Sequence, residues 1–271
     1  MILDLFAYQF MVNAFIAGTI AAVIAAVVGW YVVLRRETFA AHTLALIGFP
    51  GAAAAALFGW PVALGYFVVP GLGALAMVAG RGRGEARAGV ETATVGTIQA
   101  LALAIGYLLV TLSHANLSAA QAMLFGSFLG ITSTQVVVLT AVGVGILVAM
   151  SCIARPLFFA SVDADVAEAR GVPSRALAAA FLLIVAATVA AVSQITGALL
   201  VFALLVIPAA TAQRLTARPG RGVAIAVVIA VAVTWAGLAT SYVADVPIGF
   251  TVTSYAFALF VLVRALSRLA R

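Results

Sequence analysis

The chain has 271 residues, 66% of them hydrophobic and only 8% charged, with a mean hydropathy of +1.25. That balance excludes an ordinary soluble domain. Its net charge of +6 comes from fourteen arginines and no lysine, which excludes both a P-loop and a Schiff-base enzyme, since each needs a lysine.

The arginines fall into five clusters: Arg35/Arg36, Arg81/Arg83/Arg87, Arg155/Arg170/Arg175, Arg214/Arg218/Arg221 and Arg264/Arg268/Arg271. Each gap between clusters is about the length of two crossings, at roughly 20 apolar residues per crossing. Basic residues collect in short cytoplasmic loops, so the pattern predicts successive helical hairpins that leave and return to one face. The arginines flank apolar spans instead of lining an aromatic face, so the charge marks topology and not a nucleic-acid partner. The fold class expected is an all-α integral membrane protein. It is a polytopic bundle of about 8–9 transmembrane helices with a short cytoplasmic helix, forming one transmembrane domain over residues 1–271; the family resemblance given below implies that this is a permease domain and that the short helix is a coupling helix.

In chain order, the predicted spans are Asn13–Leu34, Phe39–Phe58, Val62–Gly80, Thr94–Leu112, Gln135–Ala154, Ala176–Val192, Gly197–Gln213, Val223–Val243 and Phe250–Leu266. Nine crossings put the N-terminus outside and the C-terminus in the cytoplasm. The segment before Arg35 lacks a basic n-region and a cleavage site, so it reads as a retained first span. Cys152 is the single cysteine and lies in a span, so no intrachain disulfide forms.

Within the second span, His42 and Leu46 share a helix face at i, i+4, with Pro50 one turn further on. Leu117–Thr132 is apolar but interrupted by Gly126, Ser127 and Gly130. It reads either as a half-helix bordering a path or as a short interfacial helix. His114 falls in a short external loop and reads as a solvated residue.

The longest polar stretch, Arg155–Arg175, contains a helix signature from Ser161 to Pro173. Ser161 or Asp163 caps it, Asp163 and Asp165 suit its positive end, and Gly171 and Pro173 end it. Val162, Val166 and Ala169 fall on one face. By chemistry alone it is either a solvated connector or a docking helix for a cytoplasmic partner. Further on, Pro208 lies inside a span, where it frees a backbone carbonyl and makes either a hinge or a packing kink.

Several stretches together resemble the permease subunits of ATP-binding-cassette importers for zinc, manganese and iron. Val192 to Ala212 is similar to the family's signature around an intramembrane Ile-Pro-Ala-Ala-Thr-Ala, here Ile207 to Ala212. Leu124-Phe-Gly-Ser127 resembles its L-F-G-[DNS] element, and Asp163 to Pro173 its D-P-E-x-A-x-x-x-G-x-P coupling segment, with Ala164 replacing the usual proline. Gly237 to Gly249, with Ser241-Tyr242 and Asp245-Val-Pro247, resembles the closing pattern. The resemblance implies no permanent cofactor, a divalent metal as transported substrate, and a permease passing solute across a bacterial inner membrane. It also implies a cytoplasmic ATPase, an extracytoplasmic binding protein and a second permease copy as partners. It assigns ATPase coupling to Asp163, Asp165, Val166, Ala167, Glu168 and Gly171, and a translocation path to His42, Leu46, Pro50, Ser127 and Pro208.

The chain departs from the family at its metal motif, Asp-x-x-x-His, which here is His42 and Leu46. His42 is then the only candidate metal ligand, either paired with a second His42 across a dimer axis or simply a neutral histidine bonded to a carbonyl or to Thr38. With the motif lost, the substrate is a divalent ion, a metal chelate or another small solute. An ion-coupled secondary transporter is the alternative, but such proteins place ionisable groups in the membrane, and this chain offers only His42. A membrane enzyme is third, with no catalytic constellation to support it.

Overall fold

In hydrocarbon, a backbone finds no water, so long apolar segments satisfy their own N–H and C=O groups by closing into helices. The computed structural model describes residues 8–80, 88–113, 117–126 and 130–269, and all of their regular structure is helical. The elements are α1 (Gln9–Leu34), α2 (Thr38–Leu57), α3 (Val62–Gly80), α4 (Ala88–Leu112), α5 (Leu117–Phe125), α6 (Ser133–Val162), α7 (Ala164–Ala169), α8 (Ser174–Leu215), α9 (Pro219–Ala244) and α10 (Ile248–Leu269). Seven described segments are long and apolar enough to cross a membrane, and Gly96–Leu112 and Leu200–Leu215 are shorter apolar helices.

α8 is the element that a straight-helix reading would misplace. Its 42 residues would extend about 63 Å if unbroken. Yet Phe181 lies 5.4 Å beneath the Arg35 guanidinium, while the Gln213 side chain donates to the Trp30 carbonyl at 2.9 Å. Both ends of α8 therefore meet the same end of α1, and the chain folds back on itself. The reversal sits at Gly197, with φ 75° and ψ 159°, a conformation that a side chain disfavours. The two spans expected at Ala176–Val192 and Gly197–Gln213 are thus the two arms of one hairpin.

The contacts fix the direction of the other helices. α1 and α6 run parallel: Asn13 donates to the Ile131 carbonyl at 2.9 Å at one end, and Arg35 donates to Ser161 at 3.2 Å at the other. α9 runs against α1, joined by the Trp235 indole donating to Thr19 at 2.8 Å and by Gly222 under Trp30. α10 returns beside α9 through Thr240 and Tyr255, 2.8 Å apart, and ends near Arg214, which caps the Phe260 ring at 5.3 Å. The arginine-bearing ends of α1, α6, α8, α9 and α10 therefore lie together, as the charge clustering predicts.

At the centre stands α1. Ala21, Ala22, Ile24, Ala25, Ala26 and Val28 are fully buried, as expected of a helix that is apolar on every side. Its small residues let neighbours close in, and a Cβ at Gly29 would fall 1.8 Å from the Leu205 carbonyl oxygen. α2 packs on α3 in the same way, with the Gly51 and Gly65 backbones in direct contact. α6 and α10 are peripheral and leave most of their apolar surface outward.

Candidate functional site

The end of the bundle away from the arginines is built from three short features. The first is the tip of the α8 hairpin. The second is α5, the helix within Leu117–Thr132, which ends at Gly126 with φ 79°. These two pack backbone to backbone: a Cβ on Gly197 would meet the Gly126 nitrogen at 2.3 Å, and one on Gly126 would meet the Thr196 carbonyl carbon at 2.4 Å. The third is the turn from α9 to α10. There Asp245 takes the left-handed conformation, Ser241 donates to the Val246 carbonyl at 2.6 Å, and Thr251 ties α10 to the Gly237 carbonyl at 3.0 Å.

Between these features and the start of α1 opens a cavity of about 1610 Å³. It reaches down the second arm of α8 as far as His42, near the start of α2. Phe10, Phe125, Phe202 and Phe250 give it an aromatic wall, while Gln121, Ser254 and Tyr242 add polar groups. Asp245 is its one carboxylate, and no arginine lines it among the described residues.

Of the residues expected on the path, His42 alone lines this cavity among the described residues. Its ring lies against Phe202 with centroids 4.4 Å apart, and its Nδ1 is buried with no hydrogen-bond partner among the described residues. Of the two alternatives for His42, a bond to a carbonyl or to Thr38 is not made through Nδ1. Leu46 is buried one turn along α2, Pro50 is half-buried in the same helix, and Pro208 is buried beside the cavity-lining Ile207. Ser127 and His114 lie outside the described residues. No group of three His, Cys, Asp or Glu side chains able to hold a metal occurs among the described residues. Sequence reasoning missed Gln121, Phe202, Tyr242 and Asp245 as cavity residues. The signal for the last two was present, since both stand in the Ser241–Pro247 pattern at a turn that carries an acid at the arginine-free end.

At the opposite end, the segment expected to dock a partner forms α7, shorter than its sequence signature. Ser161 belongs to α6, where it bonds to the Leu157 carbonyl and to Arg35, so the cap falls to Asp163, whose carboxylate accepts from the Val166 nitrogen at 3.0 Å. Val162 therefore sits on α6, and the Val162, Val166, Ala169 row crosses a helix break instead of forming one face. Ala167 is fully buried and anchors α7, and Gly171, at φ 78°, ends it. Val162, Asp165, Val166 and Glu168 are exposed.

A family model described as the ABC 3 transport family matches residues 7–267. The chain is 31% identical over 230 residues to the chelated iron transport system membrane protein YfeC of Yersinia pestis, covering 84% of this chain and 76% of that protein. It is 27% identical over 261 residues to the manganese transport system membrane protein MntC of Halalkalibacterium halodurans, covering 96% and 88%. Among solved structures, PsaBC from Streptococcus pneumoniae in complex with Fab shares the fold, with a TM-score of 0.85 at 22% identity over 96% of this chain and 92% of that one.

Proposed function

The chain belongs to the ABC 3 transport family, and on that premise we propose that it is the membrane-spanning permease of an ATP-binding-cassette importer for a transition metal. It forms one permease domain of nine crossings in a cell inner membrane, counting both arms of α8 and α4, with the arginine end and the C-terminus in the cytoplasm. The substrate class follows from the relatives, which are named for chelated iron and for manganese. The metal is cargo and no resident cofactor is required.

ATP hydrolysis belongs to a separate cytoplasmic subunit, because a chain without lysine cannot build a P-loop. That subunit docks on α7, where exposed Asp165, Val166 and Glu168 surround the anchored Ala167 and Gly171 closes the helix. A second permease copy completes the path, and an extracytoplasmic binding protein delivers solute to the cavity end. Within each copy, His42 stands on the path, and Pro208 gives the second arm of α8 its freedom to bend. Leu46, Pro50 and Ser127 keep the places that the family motif assigns them.

The observation that carries the reading is the spatial split of this one chain: an arginine-free cavity at one end and an anchored acidic helix at the other. Charge reversal at Asp165 and Glu168 tests it, leaving Asp163 to keep the cap. In the assembled transporter, the double variant is expected to retain ATP hydrolysis and lose uptake. Fully coupled uptake at the unmodified rate would refute the docking role.

A further inference from the structure

We infer that Arg35 is a positioning residue for transport: its guanidinium joins the root of α8, which follows the docking helix α7, to Glu37 at the entry of α2, the helix that carries His42. This rests on the importer reading and adds the route by which movement of the motor reaches the path.

On the motor side the connection is short and stiff. The Val172 nitrogen donates back to the Ala167 carbonyl at 3.0 Å, and the Leu177 nitrogen donates to the Pro173 carbonyl at 2.9 Å. α7 and α8 are thus hydrogen-bonded up to the turn between them, and a push on the buried Ala167 passes into α8. Two turns into α8 stands Phe181, fully buried, with its ring under the Arg35 guanidinium at 5.4 Å. On the path side, Arg35 Nη2 lies 4.0 Å from Glu37 Oε1, and the two side chains are only 16% and 12% exposed. Shielded from water to that degree, the pair is weakly screened, and separating the charges is costly. The Glu37 carbonyl accepts from the Ala41 nitrogen at 3.0 Å, so a displacement of Glu37 carries the first turn of α2, and His42 with it.

The turn between α1 and α2 is too tightly closed to absorb that displacement. The Glu37 nitrogen donates to the Val32 carbonyl at 2.9 Å and the Arg36 nitrogen to the Val33 carbonyl at 3.2 Å. Arg36 takes φ 58° where glycine is usual, so its surroundings hold the backbone against its own preference. Arginine suits the neighbouring place: its flat guanidinium covers a ring with its face and reaches acceptors with its edge, which a point-like ammonium cannot do at once. Ser161, at 3.2 Å, is a lesser contact, since Phe181 and Glu37 still hold the guanidinium when that hydroxyl is removed. All of these contacts lie within one chain, so no second copy is needed to make them.

The test uses the assembled transporter, with its ATPase and binding protein, in proteoliposomes. It reads radiolabelled manganese and iron taken up per ATP hydrolysed. Arg35→Gln keeps a hydrogen-bonding side chain without the charge, and Phe181→Leu keeps apolar bulk without the ring. Each is expected to assemble with the ATPase, to retain hydrolysis, and to lower uptake per ATP by about tenfold, within the 5–150-fold span of ordinary coupling between sites. The double variant should be no worse than either single one, because both break the same link. Arg36→Asn, which removes the adjacent exposed charge but accepts the left-handed backbone, should stay coupled. Unchanged uptake per ATP in Arg35→Gln and Phe181→Leu would overturn the inference. So would an equal loss in Arg36→Asn, which would make the effect one of basic charge at this face. Failure of both variants to assemble would make Arg35 a structural staple and overturn it too. If the Asp165/Glu168 reversal uncouples the transporter while the Arg35 and Phe181 variants do not, the importer reading stands without this link. If none of them uncouples it, the docking reading falls as well.

Discussion

At the residue scale, two glycines carry more of the architecture than any side chain at the cavity end. Gly197 and Gly126 both have positive φ and touch through their backbones, so an alanine at either combines left-handed strain with a steric overlap. Each single alanine is expected to destabilise the bundle by about 3 kcal/mol or more, read as a lower midpoint in detergent unfolding. Gly71, where an added Cβ would meet nothing within 4 Å, should accept alanine without loss and serves as the control. The sequence makes Gly197 visible as a member of a motif but not its role, because an isolated glycine in an apolar span is commonplace. Its partner Gly126 is about seventy residues away, and no local pattern connects them. The change of Asp-x-x-x-His to His42 and Leu46 was equally legible, but the neighbour that now meets His42, Phe202, comes from another helix.

At the scale of elements, charge was the informative signal and periodicity was not. Arginines at both ends of Ser174–Leu215 foretold a hairpin, and its two helical arms meet at the non-helical Gly197. Capping chemistry overextended α7, because Ser161 has the side chain of a cap but is held in α6 by its bond to Arg35. The correction makes a sharp prediction. Asp163→Ala removes the side-chain cap of a six-residue helix and should cost about 1 kcal/mol locally, while Ser161→Ala leaves α7 intact. Uptake by the assembled transporter is expected to fall in the first variant and persist in the second, with both accumulating in the membrane.

For the whole molecule, the arginines predicted the one-sided geometry, and the contacts of α1, α6, α8, α9 and α10 place their arginine-bearing ends together. The orientation they imply is measurable. A cysteine at Ser267, in the last turns of α10, should react with an impermeant maleimide only after the membrane is opened, while one at Ser254 should react from outside in intact cells. The central position of α1 has a further consequence, for how the protein is made. α1 leaves the ribosome well before its burying partners in α8 and α9, which follow some 150 residues later, about 10–30 s at ordinary synthesis rates. Until then its alanine-rich faces have only α6 and lipid beside them, so the newborn helix waits in the bilayer for a hairpin not yet translated. A chain ending before Ser174 should therefore insert but remain open to proteolysis, and the arrival of the α8 hairpin should mark the moment of protection.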